Sequence, residues 1–253
     1  MKRNFGFTLI ELMVAMAISL VALLALSELY INTRKTAGLQ MIQNQVSEDG
    51  RYAISMLQRA IAQAGFRADP TQALASDRIT ATSNESISVK FTSDGQNQID
   101  CNGSVAAAGA TTLVIARPSS TSNQLQCGTV DWIAPSASGS GNGTELIDFK
   151  ILYGIDTGPN LADGSYGCGN DPGDGSKPRD CIADSYVSSL TGGVTASQIA
   201  SIKVCLVLRS EKTDTSIVKP AAVKDCSGSD ITGSDTDKKL YRMFRSTIML
   251  RNN

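Results

Sequence analysis

Lys2-Arg3-Asn4-Phe5-Gly6-Phe7-Thr8-Leu9-Ile10-Glu11-Leu12-Met13-Val14-Ala15 sets a short basic leader, a Gly-Phe junction and one carboxylate immediately ahead of a long apolar run. Between Phe7 and Ser27 the only charged side chain is Glu11. A helix rising about 1.5 Å per residue needs about 20 residues to cross about 30 Å of hydrocarbon, so this stretch is long enough to span a bilayer. Lys2 and Arg3 favour a cytoplasmic amino-terminal side, which sends everything beyond roughly residue 30 across the membrane. An ordinary secretory signal fits less well. No convincing small-residue cleavage site follows the run, and Glu11 interrupts a region that such a signal keeps apolar. An uncleaved signal anchor is the remaining alternative. Glu11 itself needs a reason, because a carboxylate in lipid costs about 3 kcal/mol on insertion scales unless it is neutralised or paired.

Beyond the membrane segment the composition changes and the period does not. Leu39, Ile42, Val46, Ile54, Leu57, Ile61 and Ala64 recur mainly at steps of three and four, among polar residues such as Gln43, Glu48, Arg51 and Arg59. The pattern predicts that the helix continues as an amphipathic segment over residues 31–65, with its apolar stripe lying on the protein's own sheet. No proline precedes Pro70. The helix is expected to stop near Gly65 acting as C-cap, which gives a rod of roughly 85 Å over residues 8 to 64. Gly38 and Gly50 interrupt the stripe and no strict heptad is kept, which argues against a coiled coil and leaves Gly38 as a candidate hinge.

Residues 66–253 have the length of one substantial domain and the pattern of a sheet. Strands are expected at 86–92, 111–117, 145–153, 199–208 and 244–251, where apolar positions alternate or run together, as in Leu113-Val114-Ile115 and at Val204, Leu206 and Leu208. Polar stretches at 136–144, 158–184 and 225–238 read as loops rather than domain linkers. The fold class is therefore α+β: one long amino-terminal helix packed on an antiparallel β-sheet head with disulfide-tied loops.

Cys101, Cys127, Cys168, Cys181, Cys205 and Cys226 form an even set on the side of the membrane where disulfides persist. Sequence alone leaves many pairings open. Nearest neighbours are the expectation, 101 with 127, 168 with 181 and 205 with 226, because each would staple a loop between expected strands at modest closure length. A metal role fits the cysteines poorly: their spacings are wide and the chain has no histidine. Between Cys168 and Cys181, the aspartates at 171, 174 and 180 with their glycines offer oxygen ligands for calcium. They lack EF-hand spacing and a terminal bidentate Glu, and Lys177 and Arg179 would repel a cation. A solvated, disulfide-tied loop is the simpler expectation there.

The absence of histidine removes the usual proton shuttle, zinc-hydrolase ligands and Ser-His-Asp chemistry together. Nothing in the spacing nominates a carboxylate pair or a lysine base, so no enzymatic activity is expected. Gly164 to Gly175 is glycine-rich but contains neither phosphate-binding fingerprint, so no cofactor is expected. The formal net charge is −1 and the basic residues are dispersed, apart from a loose group of Lys238, Lys239, Arg242 and Arg245 that suits a sheet edge or a subunit contact. Direct nucleic-acid binding is not expected.

The amino-terminal stretch resembles the type III signal of prepilins, which an inner-membrane peptidase cuts after the glycine before methylating the new amino terminus. The resemblance implies a leader over residues 1–6, scission between Gly6 and Phe7, and a membrane and filament-core helix over 7–30. It also implies that Glu11 pairs with the amino terminus of a neighbouring subunit's Phe7 and so sets docking. This signal is common to type IV pilins and to secretion pseudopilins. Three further blocks, residues 147–154, 199–210 and 241–252, together with the helix pattern from Asp49-Gly50-Arg51-Tyr52-Ala53 to Gly65-Phe66, are similar to PilW-type minor pilins. That resemblance covers most of the chain and leaves the loops at 118–144 and 158–184 unconstrained. It implies a type IV pilin-like fold and a bacterial inner-membrane subunit with a periplasmic head, which primes fibre assembly and sits near the pilus tip. Its implied partners are the prepilin peptidase and N-methyltransferase, other minor pilins, the major pilin, the inner-membrane assembly platform and a tip adhesin, with no small-molecule substrate. The alternatives are a minor pseudopilin of a type II secretion system, or a minor pilin whose main role is DNA uptake or adhesion.

Overall fold

The computed structural model describes residues 8–251 apart from 70, 73–74, 138–140, 142, 158–169, 172–173, 191–193 and 218–220. Helix α1 (Leu9–Ala62) is continuous for 54 residues, about 81 Å at the α-helical rise. Residues 9–37 are exposed along their whole length. Within this stretch Ser19 and Ser27 donate their hydroxyls to the carbonyls of Ala15 and Leu23, at 2.7 and 2.8 Å. These polar side chains therefore bring no unpaired donor into lipid. Burial begins at Val46 and recurs at Gly50, Ala53, Met56, Leu57, Ala60 and Ile61, the three-and-four spacing of one helix face. Gly50, Ala53 and Ala60 are small, so the helix backbone lies close to the sheet along that face.

The helix ends earlier than its pattern predicts. Its C-cap is Gln63, whose side chain accepts from the Ile99 amide and donates to the Ile99 carbonyl, so that the last turn is tied to the head. Gly65 is not the cap. It adopts φ +71°, a left-handed conformation that costs glycine little, and its amide donates to the Lys90 carbonyl at 2.9 Å. Thr92 in turn donates to the Phe66 carbonyl, so the chain leaves the helix by running alongside a strand.

The head contains β1 (Ile79–Ser83), β2 (Ser86–Ser93), β3 (Gly109–Ala116), β4 (Leu125–Cys127), β5 (Val130–Ile133) and β6 (Thr144–Ile155). It continues with β7 (Asn170–Asp171), β8 (Asp174–Pro178), β9 (Ser185–Val187), β10 (Ile199–Ser210) and β11 (Tyr241–Met249). These strands make an antiparallel sheet in the order β1-β2-β3-β4-β5, a second in the order β11-β10-β6-β9, and a short β7-β8 ladder. The expected five strands are present with shifted ends. The closing strand begins three residues earlier than its alternation suggests, because Arg209 pairs with Tyr241. Strands β1, β4, β5 and β9 are three to five residues long, too short for a periodic signal. The stretch 158–184, expected as loop, contains the β7-β8 ladder.

Both sheets bury one face in a common core. In β2, Ile87, Val89 and Phe91 point inward and alternate with half-exposed residues, the period-two signature of a sheet with one wet face. Strand β10 is the centre of the second sheet and is buried along most of its length. Its even-numbered residues Ile202, Val204, Leu206 and Leu208 stand opposite Ile248, Ser246, Phe244 and Arg242 of β11. This is the face that α1 covers. The sheets are stitched together by backbone hydrogen bonds from Ile151 to Asn84 and from Leu146 to Asn123, both 2.9 Å.

Candidate functional site

Thr8 is the N-cap of α1, with φ −81° and ψ 151°. Its amide and hydroxyl both donate to Oε2 of Glu11, each at 2.9 Å, and the Glu11 amide returns a hydrogen bond to the Thr8 hydroxyl at 3.3 Å. This reciprocal box satisfies two of the amide donors that every helix start leaves open, and it places a negative charge at the positive end of the helix dipole. Only one carboxylate oxygen is used. Among the described residues, Oε1 of Glu11 has no hydrogen-bond partner. Gly6 and Phe7 lie outside the described residues, so the proposed scission and the Phe7 end of the docking pair are not placed. The box was legible in the sequence as Thr8 followed three residues later by Glu11, although the family pattern drew attention to Glu11 alone.

The other half of α1 is seated on β11. Gly50 lies so close to Phe244 that a Cβ at this position would stand 2.2 Å from two ring carbons and 2.6 Å from a third. Gln58 donates to the Ser246 hydroxyl at 2.9 Å, and Arg242 donates to the Ser47 hydroxyl. The rod is thus held to an edge strand by an aromatic-glycine contact flanked by two polar clasps. The loose basic group does not stay together: Arg242 turns to the helix, Lys239 pairs with Glu145 at 3.1 Å, and Arg245 faces the opposite side of the sheet.

A second set of polar contacts fixes the end of the β6-β10-β11 sheet. Arg209 reaches Glu145 through Nη2 at 2.5 Å and Nε at 2.6 Å, and the Tyr241 hydroxyl donates to Asp237 at 2.6 Å. Burial works against the Arg209 cation, but hydrogen bonds to Tyr241 and Glu145 outweigh it and hold its pKa above the ordinary value. Burial, with help from Asp237, pushes the Tyr241 phenol up to about 12. Glu211 accepts from the Ser136 amide and hydroxyl and from the Gly143 amide, at 3.1, 2.7 and 2.8 Å, and these bonds depress its pKa.

Cys101 is bonded to Cys127 and Cys205 to Cys226. The first bridge ties the loop after β2 to β4, and Trp132 of β5 donates to the Cys101 carbonyl at 2.8 Å. The second ties β10 to the loop before β11, where the Cys226 amide donates to Asp148 at 2.9 Å. Cys181 is also disulfide-bonded, whereas Cys168 lies outside the described residues. Arg179, expected in a solvated loop, is buried and donates to the Ser197 carbonyl at 2.8 Å. Among the described residues no group of three or more Cys, Asp or Glu is placed to hold a metal ion.

A lipid-length exposed helix that runs unbroken onto an antiparallel, disulfide-tied head defines a protein of the pilin class. The model of the prokaryotic N-terminal methylation motif matches residues 1–27. The chain belongs to the family of type IV pilus-assembly protein W, whose model matches residues 112–252. A solved structure, a type IV-like pilin from Thermus thermophilus, is similar over 82% of this chain and 97% of that one, at 12% identity and a TM-score of 0.42. A superposition this loose carries no functional argument. No curated protein matches the chain. Family and motif together make this a single-pass inner-membrane protein of the pilin and pseudopilin superfamily, a structural subunit rather than an enzyme, processed by a prepilin peptidase and methyltransferase and assembled with other pilins.

Proposed function

We propose that the chain is a minor pilin that docks into the base of a growing type IV pilus, helps to prime assembly and ends near the fibre tip. The observation that carries this is the amino-terminal half of α1. Its residues 9–37 are exposed, with no packing partner among the described residues, and at its start stands a carboxylate with one oxygen occupied and one that has no hydrogen-bond partner among them. In lipid that carboxylate is costly, and a cationic amino terminus arriving from a neighbouring subunit's Phe7 removes the cost. The apolar face then exchanges lipid for the helices of other subunits. The head stays on the periplasmic side and meets other minor pilins, with a tip adhesin as a further partner.

The test is a chromosomal deletion with complementation, scored by counting surface fibres against an unchanged total of major pilin. Wild-type protein is expected to restore fibres and Glu11→Ala to fail, although the variant still reaches the membrane and is still processed. Fibre counts that are unaffected by the deletion, or fully restored by Glu11→Ala, would overturn the priming role.

A further inference from the structure

The face of the second sheet that points away from α1 carries a cavity of about 760 Å³ to which no role is assigned. Three cations line it. Lys150 and Arg245 flank Cys205 on one rung of the β6-β10-β11 ladder, and Lys203 stands on the next rung between Leu152 and Thr247. Strand spacing of about 4.8 Å places Lys150 and Arg245 roughly 10 Å apart across two strands, with Lys203 between them and displaced along the sheet. Among the described residues the cavity lining contains no carboxylate.

The three cations are not equivalent. Lys150 is held by Glu85 at 2.5 Å and Asp148 at 3.8 Å, so it supplies donors but little net charge. Lys203 sits over the Tyr186 ring, 3.4 Å from its centroid, which fixes the ammonium without neutralising it. Arg245 is exposed and makes no ion pair among the described residues. Between them stand the neutral hydrogen-bonding groups of Asn84, Ser188 and Thr247, and the Cys205–Cys226 bridge forms part of the wall. Two cations with no ion-pair partner among the described residues, on a sheet braced by the Cys205–Cys226 bridge, make a preorganised receptor for an anion.

We propose that this cavity binds an acidic oligosaccharide of two or three units, its carboxylates meeting Lys203 and Arg245 and its hydroxyls meeting the neutral side chains. A single inorganic anion would leave most of the volume unfilled. An acidic peptide bound as a strand would use a sheet edge rather than the middle of a face. Cations interleaved with hydroxyl and amide groups suit a ligand that alternates carboxylates with hydroxyls. The site is independent of the role proposed for α1.

The experiment is titration of the full chain in a neutral detergent with tri-galacturonate, followed by calorimetry. Its comparison arms are a neutral galactose trisaccharide, inorganic phosphate and a hexaglutamate peptide, and the variants are Lys203→Gln/Arg245→Gln and, separately, Arg242→Gln on the helix side. Saturable binding of tri-galacturonate is expected, weakened at least tenfold by the double variant and unchanged by Arg242→Gln, with the thermal midpoint of the double variant unaltered. Phosphate and the neutral sugar are expected to bind at least tenfold more weakly than the acidic sugar. The proposal is overturned by the absence of saturable binding, by equal affinity in the double variant, or by hexaglutamate or phosphate binding as tightly as tri-galacturonate. If the double variant is misfolded, Lys203→Gln alone replaces it, and an unchanged affinity there overturns the proposal equally.

Discussion

Replacing Gly50 by Ala pits two effects of opposite sign against each other. Alanine is favoured over glycine in a helix interior by about 1 kcal/mol. The new methyl would, however, stand 2.2 to 2.6 Å from three carbons of the Phe244 ring, where ordinary contact needs more than 3.4 Å. Phe244 is anchored in β11 opposite Leu206, so the ring has to swing out of its seat or the helix has to lift from the sheet. Overpacking of this kind costs about 1–3 kcal/mol. The net expectation for Gly50→Ala is a destabilisation of up to about 2 kcal/mol. In a Phe244→Ala background the clash is gone, and the same substitution should stabilise by about 1 kcal/mol. The coupling between the two sites is then about 1–3 kcal/mol. Trp132, the single tryptophan, is buried in the head and reports urea unfolding of the full chain in micelles without labels. A Gly50→Ala chain more stable than wild type, or effects of the two substitutions that simply add, would refute the close seating of α1 on β11.

Removing the Cys101–Cys127 bridge as Cys101→Ala/Cys127→Ala opens a loop closed over a sequence separation of 26, and chain entropy predicts a loss of about 3.5 kcal/mol, read from the same urea curves. Glu145→Ala leaves the partly buried Arg209 cation beside Lys239 with only the more distant Asp237 carboxylate, at 3.6 Å, and should cost about 2 kcal/mol, more than Lys239→Ala, by the same assay. Glu211 has a folded pKa below its ordinary value of 4.5, so its contribution is fully present above that pH and is lost as pH falls through the depressed folded value. The urea midpoint of wild type should therefore drop more steeply than that of Glu211→Gln as pH falls below 4.5, and parallel profiles would contradict the assignment.

The sequence was legible where one physical requirement dominates. A run with one charge between Phe7 and Ser27 has to be a membrane helix, and the three-and-four recurrence through Val46, Leu57 and Ile61 has to turn one face to a core. The strands around Val89, Leu113 and Leu206 were visible for the same reason. The division of the head into two sheets was not, because β4, β5 and β9 are too short to show a period and are fixed by register with longer partners. The helix end was misplaced by two to three residues because Gln63 is tied to Ile99, a contact 36 residues away that no local pattern announces. Gly50 was read as an interruption of the stripe, whereas in the fold it is the point of closest approach to Phe244. At the candidate site the carboxylate at Glu11 stood out as a charge in lipid, and its box with Thr8 needed only the spacing of an N-cap to be found. The cation triad of Lys150, Lys203 and Arg245 was invisible, since these residues come from three strands and meet only through the β6-β10-β11 register.

The proposed function requires that this chain be cut, methylated and built into an exported fibre by its amino-terminal helix. Its most direct test is peptide mass spectrometry of sheared surface fibres, separated from membranes, aimed at the amino-terminal peptide. A methylated peptide beginning at Phe7 in the fibre fraction is the expected result. An uncut Met1 terminus in processing-competent cells, or a processed peptide confined to membranes while other minor subunits are found in the fibres, would contradict it.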